Sequence, residues 1–133
     1  AAGAACVGEE MTVLITGDMS FSYDVNGLSS TYLSPRFKII VMCNGGGGIF
    51  RFIKPTSDLP ELETCFEIHR DISVEKYADL FGLRYFELND EKSAAEVLSL
   101  FFAEKDRPAI LAVHTPNVYN AEVLRGYFRR SRQ

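Results

Sequence analysis

Four runs of apolar, largely β-branched residues punctuate the chain: residues 11–16 (MTVLIT), 37–43 (FKIIVMC), 84–88 (RYFEL) and 108–113 (PAILAV). The second and fourth are nearly continuous rather than alternating, the pattern of strands buried on both faces. Helical periodicity fills the gaps. Over 73–82, Ser73 is placed to cap a helix, Val74, Tyr77, Leu80 and Phe81 share a face, and Gly82 stops it. Over 90–104, Ala94, Val97, Leu98, Phe101 and Phe102 recur at helical spacing after Asn89-Asp90, and over 120–131 Val123, Leu124, Tyr127 and Phe128 do the same. Strand–helix alternation of this kind predicts an α/β fold: a doubly wound, mostly parallel sheet with helices on both faces. Residues 53–72 break the pattern with two prolines and few periodic positions, a long excursion expected to be functional or mobile.

The opening "AAGAACVGEE" reads as the end of a small-residue helix and its exit loop, already under way at residue 1. The expectation is a single domain over residues 1–133, truncated at its N-terminus, from a longer multidomain protein.

Composition narrows the function classes. At 133 residues, 47% hydrophobic and 24% charged, the chain can bury a core of its own. A net charge of −4 argues against a nucleic-acid partner. The one basic cluster, Arg125, Arg129, Arg130 and Arg132, suits the solvated C-terminal end of a helix. No run approaches the roughly 18 apolar residues of a membrane helix, and no signal peptide is visible. Three cysteines without metal-like spacing read as reduced thiols of a cytoplasmic protein, with Cys43 a buried small hydrophobe and zinc not expected.

Two strand ends carry the chemistry. "ITGDMSFSYDVNGL" (15–28) runs from a strand into Gly17-Asp18, and "IIVMCNGGGGIF" (39–50) runs from a strand into Asn44 and four glycines. In parallel α/β sheets ligands sit at the C-terminal ends of strands. The 25 residues between Asp18 and Asn44 allow one helix and one strand, so a single crossover can bring both ends to one edge. Asp18 and Asn44 then offer a carboxylate and an amide oxygen, hard ligands for a divalent cation such as Mg²⁺. Side-chain-free Gly45 to Gly48 let backbone reach a ligand, and a helix opening at 19–21 with the Ser20 hydroxyl suits a phosphate. Taken singly, each feature has a plainer reading: Asp18 as a helix cap, Asn44 as a turn residue, the glycines as a slack loop. Their joint occurrence at this spacing favours a phosphate-plus-metal site over a non-enzymatic module of flavodoxin or receiver type.

Gly-Asp, about 25 residues, then a strand-closing Asn resembles the cofactor motif of thiamine-diphosphate (ThDP) enzymes. Two departures, Met19 for the usual glycine and Cys43 for a first Asn, together with "YDVNGL" and the tail "HTPNVYNAEVLRGYF", resemble one branch. That branch is the 2-succinyl-5-enolpyruvyl-6-hydroxy-3-cyclohexene-1-carboxylate synthase family of menaquinone biosynthesis. The similarity extends over essentially the whole chain. The same features argue against acetolactate-synthase or 2-keto acid decarboxylase relatives.

The resemblance implies Asp18, Asn44 and the Gly46 carbonyl as Mg²⁺ ligands. It implies Ser20 and the Met19–Phe21 backbone, following Gly17, at the diphosphate of ThDP, and Ile49 and Phe50 near the thiazolium and the substrates. Tyr23, Asp24 and Asn26 match the motif, with ligand contact, helix-start packing and subunit contact all open. The implied reaction decarboxylates 2-oxoglutarate and adds the resulting carbanion to isochorismate. The implied assembly is a homodimer or homotetramer whose missing N-terminal domains hold the other catalytic groups, so the chain alone is expected to be inactive. An apolar interface is expected around Phe21, Phe50 and Phe52.

Overall fold

In the computed structural model, which describes residues 1–67 and 72–130, the four apolar runs pair into one all-parallel sheet. Its strands are β1 (Thr12–Gly17), β2 (Phe37–Cys43), β3 (Arg84–Leu88) and β4 (Ala109–His114), in the spatial order β1-β2-β4-β3. The two continuous runs are the two central strands, as burial on both faces requires. Ile39 and Val41 of β2 and Ala109 through Ala112 of β4 are fully enclosed. Gly17 pairs with Met42, Cys43 with His114 and Leu88 with Val113, so all four C-terminal ends line one edge.

Helices cover both faces. On one, Ile39, Val41, Ile110 and Ala112 pack against Ala5 of α1 (Ala2–Val7), Phe21 of α2 (Asp18–Tyr23) and Val74 and Ala78 of α4 (Val74–Phe81). On the other, Phe101 of α5 (Ala94–Ala103) fills a smaller core with Ala109, Leu111, Ile40 and Phe86. The fold is the α/β arrangement that the alternation predicts.

Local signals set both ends of α4. The Ser73 side chain accepts the Lys76 N–H, and Gly82 adopts a left-handed conformation at the far end of α4. The helix expected over 90–104 is instead a 3₁₀ turn, Glu91–Ser93, followed by α5, because Asp90 caps the turn through Lys92 N–H. The last helix, α6 (Asn117–Arg130), begins three residues before the expected 120. Its first turn carries no core-facing side chain ahead of buried Ala121, so periodicity gave no sign of it. The excursion contains the short helix α3 (Gly48–Phe52) at its entrance, then a 3₁₀ turn (Thr56–Asp58) and a π-type turn (Leu62–Phe66). The expectation for residues 68–71, and that for Arg132, lie outside the described residues.

One expectation is corrected. Phe21 does not belong to an exposed apolar surface: it is buried, edge-on to Tyr77 at 5.6 Å between ring centres. Phe52 is half-buried against Phe128, leaving Phe50 as the exposed member of that trio. Further exposed apolar surface lies on one face of edge strand β1 (Val13, Ile15) with Met11 just before it, and along α6 (Tyr119, Val123, Tyr127). The β2 run also carries one charged residue. Lys38 is buried, its ammonium donating to the carbonyls of Pro35 (3.0 Å) and Glu104 (2.6 Å) and lying 6.0 Å from the Phe101 ring centre.

Candidate functional site

β1 and β2 are adjacent and in register at Gly17 and Met42, so the residues just beyond them must meet. Asp18 is buried, and both of its carboxylate oxygens are engaged. Oδ1 accepts the Met19 N–H at 2.8 Å, while Oδ2 accepts the N–H groups of Asn44 (3.1 Å) and Gly45 (2.9 Å). Asp18 therefore takes up a free N–H in the first turn of its own helix and also ties the first loop to the second. The Asn44 side-chain oxygen accepts the Gly46 N–H at 3.1 Å, folding the glycine loop back over its own start. Gly45, Gly46 and Gly47 all have positive φ (83°, 85° and 69°), a run that side-chain-bearing residues would not adopt.

A second set of side chains supports this loop from behind. β4 lies beside β2, with Cys43 opposite His114 and Thr115 N–H donating to the Cys43 carbonyl at 3.0 Å. The chain leaving β4 thus delivers Asn117 to the glycine loop. Its Nδ2 donates to the Gly46 carbonyl (3.3 Å) and to Glu67 Oε1 (3.0 Å). Glu67 is buried and takes two bonds from Arg51, Nε to Oε1 at 2.8 Å and Nη2 to Oε2 at 2.6 Å. These bonds, with a further one from Arg51 Nη2 to Glu63 Oε1, hold the Arg51 guanidinium charged well above its ordinary range. Arg125 of α6 donates to the Arg51 carbonyl, so this basic residue is part of the scaffold, not only a solvated helix end. The fit is close: a Cβ on Gly47 would stand 2.6 Å from the Glu67 Cα, and one on Gly48 2.4 Å from Asn117 Oδ1.

The structure thus brings Asp18, Asn44 and Gly46 together. Gly17 adopts an extended conformation ahead of α2, Met19 is half-buried and Ser20 is exposed on α2, and Phe21 turns its ring into the core. Ile49 and Phe50 are exposed on α3, with the Phe50 ring 5.5 Å from that of Phe66. Tyr23, Asp24 and Asn26 are exposed. Sequence reasoning missed Asn117, Glu67 and Arg51. Pro116-Asn117 just after a strand is a helix-start signal that marks the position, whereas Glu67 carries no local signal.

The donor set suits a hard cation. One carboxylate, one amide oxygen and one backbone carbonyl lie on this loop pair; Asp18 Oδ1, the Asn44 side-chain oxygen and the Gly46 carbonyl each accept one bond and keep a lone pair, whereas Asp18 Oδ2 already accepts two. Burial first, then the charges of Asp18 and Glu87, push the adjacent Cys43 thiol up to about 11. Cys43 therefore stays protonated at neutral pH and offers no soft thiolate. Among the described residues no group of three His, Cys, Asp or Glu side chains is placed to hold a metal ion.

No protein-family model matches the chain. It is 49% identical over 117 residues, 88% of its length, to the 2-succinyl-5-enolpyruvyl-6-hydroxy-3-cyclohexene-1-carboxylate synthase of Porphyromonas gingivalis. It is 40% identical over 129 residues to the synthase of the same name from Flavobacterium johnsoniae, and 35% identical over 100 residues to that of Leuconostoc mesenteroides. The chain covers 20%, 23% and 18% of these proteins, respectively. By homology the chain belongs to the 2-succinyl-5-enolpyruvyl-6-hydroxy-3-cyclohexene-1-carboxylate synthase family and spans about a fifth of the length of those enzymes.

Proposed function

We propose that the chain is the C-terminal, Mg²⁺–diphosphate-binding domain of a ThDP-dependent synthase of menaquinone biosynthesis. The whole enzyme, in this reading, decarboxylates 2-oxoglutarate and adds the product to isochorismate in the cytoplasm, as a homodimer or homotetramer. The observation that carries the reading is the pair of hydrogen bonds that Asp18 Oδ2 accepts from the N–H groups of Asn44 and Gly45. It joins two loops 26 residues apart into one oxygen-rich seat.

Asp18, the Asn44 amide oxygen and the Gly46 carbonyl would hold the cation. Ser20 and the Met19–Phe21 backbone would meet the diphosphate, beside the Gly17 turn. Ile49 and Phe50, apolar and exposed on α3, would exclude water from the reacting end. Thiamine diphosphate, when bound, supplies the carbanion stabilisation the reaction needs. This chain's residues supply position: a buried carboxylate that fixes the loop and an apolar step beside it. The remaining catalytic groups are assigned to domains outside these residues, so the chain alone is inactive.

The test is product formation from 2-oxoglutarate and isochorismate by the full-length protein, with and without ThDP and Mg²⁺. Turnover dependent on both supports the reading. Turnover without either contradicts the site, and ThDP binding without turnover of these substrates contradicts the pathway.

A further inference from the structure

We propose that Asn117 is a positioning residue for the metal seat: it aims the Gly46 carbonyl before any cation arrives, and buried Glu67 aims Asn117. The proposal rests on reading the Asp18–Asn44–Gly46 loop as a Mg²⁺ site. Four successive glycines have the widest backbone freedom available, and three of them here occupy left-handed geometry. Left to itself, such a loop would spread the Gly46 carbonyl over many directions, and a cation would bear the cost of ordering it. Asn117 removes that freedom by donating from Nδ2 to the Gly46 oxygen. A carbonyl has two lone pairs, so one remains for a cation.

The orientation of Asn117 follows from its partners. The Gly46 and Glu67 oxygens are both acceptors, at 3.3 and 3.0 Å, so the amide nitrogen must face them. Its Oδ1 is thereby turned away, and it is buried without a partner. A protein tolerates an orphaned acceptor where the other half of the group has a task. Glu67 in turn is held by two Arg51 bonds and has its backbone pressed under Gly47, so its carboxylate cannot swing away. The arrangement repeats a general feature of metal sites, in which an outer partner orients the ligand.

The experiment uses the full-length protein. Thiamine diphosphate binding is titrated by calorimetry across a series of Mg²⁺ concentrations for wild type, Asn117→Ala and Asn117→Ser, with the melting temperature of each measured without metal. Both variants lose the reach to Gly46, and Asn117→Ser leaves a hydroxyl beside Glu67 should Asn117→Ala fail to fold. The Mg²⁺ needed for half-maximal binding is expected to rise about 10–100-fold in either variant, with kcat recovering at saturating Mg²⁺. A lower melting temperature with an unchanged Mg²⁺ requirement would show a purely structural role and overturn the proposal alone. Wild-type protein that binds ThDP without regard to Mg²⁺ would overturn the reading of the site, and this proposal with it.

Discussion

Cys43 closes β2 one residue before Asn44, and its chemistry follows from that place. Burial and the nearby Asp18 and Glu87 charges raise its pKa from the usual 9.0 to about 11. As pH climbs past 9 the unfolded chain releases this proton first, so the thiol's contribution to stability is whole below 9 and is lost between 9 and about 11. Wild type should therefore lose more stability than Cys43→Ala over that window in urea melts. Taking the difference cancels other alkaline titrations, including Lys38, whose burial lowers its pKa and acts in the opposite sense. Equal slopes for the two proteins would contradict the assignment. At pH 8, iodoacetamide should label exposed Cys65 well before Cys43.

Glu67 is the other decisive single residue. Glu67→Ala strips a buried partner from Arg51 and from Asn117 together, and should destabilise the fold by about 3–5 kcal/mol in denaturant melts. A change near zero would mean that the pair is solvated. Neither role was legible in the sequence. Glu67 sits in the aperiodic stretch, and its bond to Asn117 spans 50 residues.

At the scale of elements, the strand ends were legible and the support behind them was not. Gly17-Asp18 and Asn44 followed by glycines announce loops at the ends of apolar runs, and the register of β1 with β2 makes them meet. Asn117 reaches Gly46 only because β4 inserts between β2 and β3, an order that spacing along the chain does not fix. The early start of α6 was hidden for a related reason, since its first turn faces the loop and not the core.

The glycine loop itself yields a graded prediction. Gly45→Ala meets no atom within 4 Å and bears only the left-handed strain, about 1 kcal/mol. Gly47→Ala carries the same strain and also drives its Cβ to 2.6 Å from the Glu67 Cα, a backbone atom that cannot turn aside. It should be the more damaging by at least about 1–3 kcal/mol, measured by urea melts. Equal effects would show that the loop does not rest on Glu67.

For the whole molecule, the fold class followed from the alternation of elements, and the two unbroken runs became the central strands. Exposure was harder to read, because a phenylalanine looks the same on paper whether it fills a core or a surface. Phe21 went inward under α4, while Val13 and Ile15 on β1 stand outward on an unpaired edge, Ile15 at 68% exposure. A free parallel edge with an apolar face invites pairing with another chain. The 133-residue chain purified alone should therefore self-associate in light scattering, and Ile15→Lys should reduce this. A monomer at high concentration would contradict it.

In the proposed function, Asp18 joins two strand ends into a Mg²⁺–diphosphate seat. The measurement that bears on it most directly is Mg²⁺-dependent ThDP affinity in the full-length protein, wild type against Asp18→Asn. Both Asp18 oxygens accept N–H groups, so an amide must turn its NH₂ against donors on one side while also losing the charge. The account predicts that wild type binds ThDP only with a divalent cation and that Asp18→Asn loses at least about tenfold in affinity, about 1.4 kcal/mol. Asp18→Asn binding ThDP with wild-type affinity and the same Mg²⁺ dependence would contradict it.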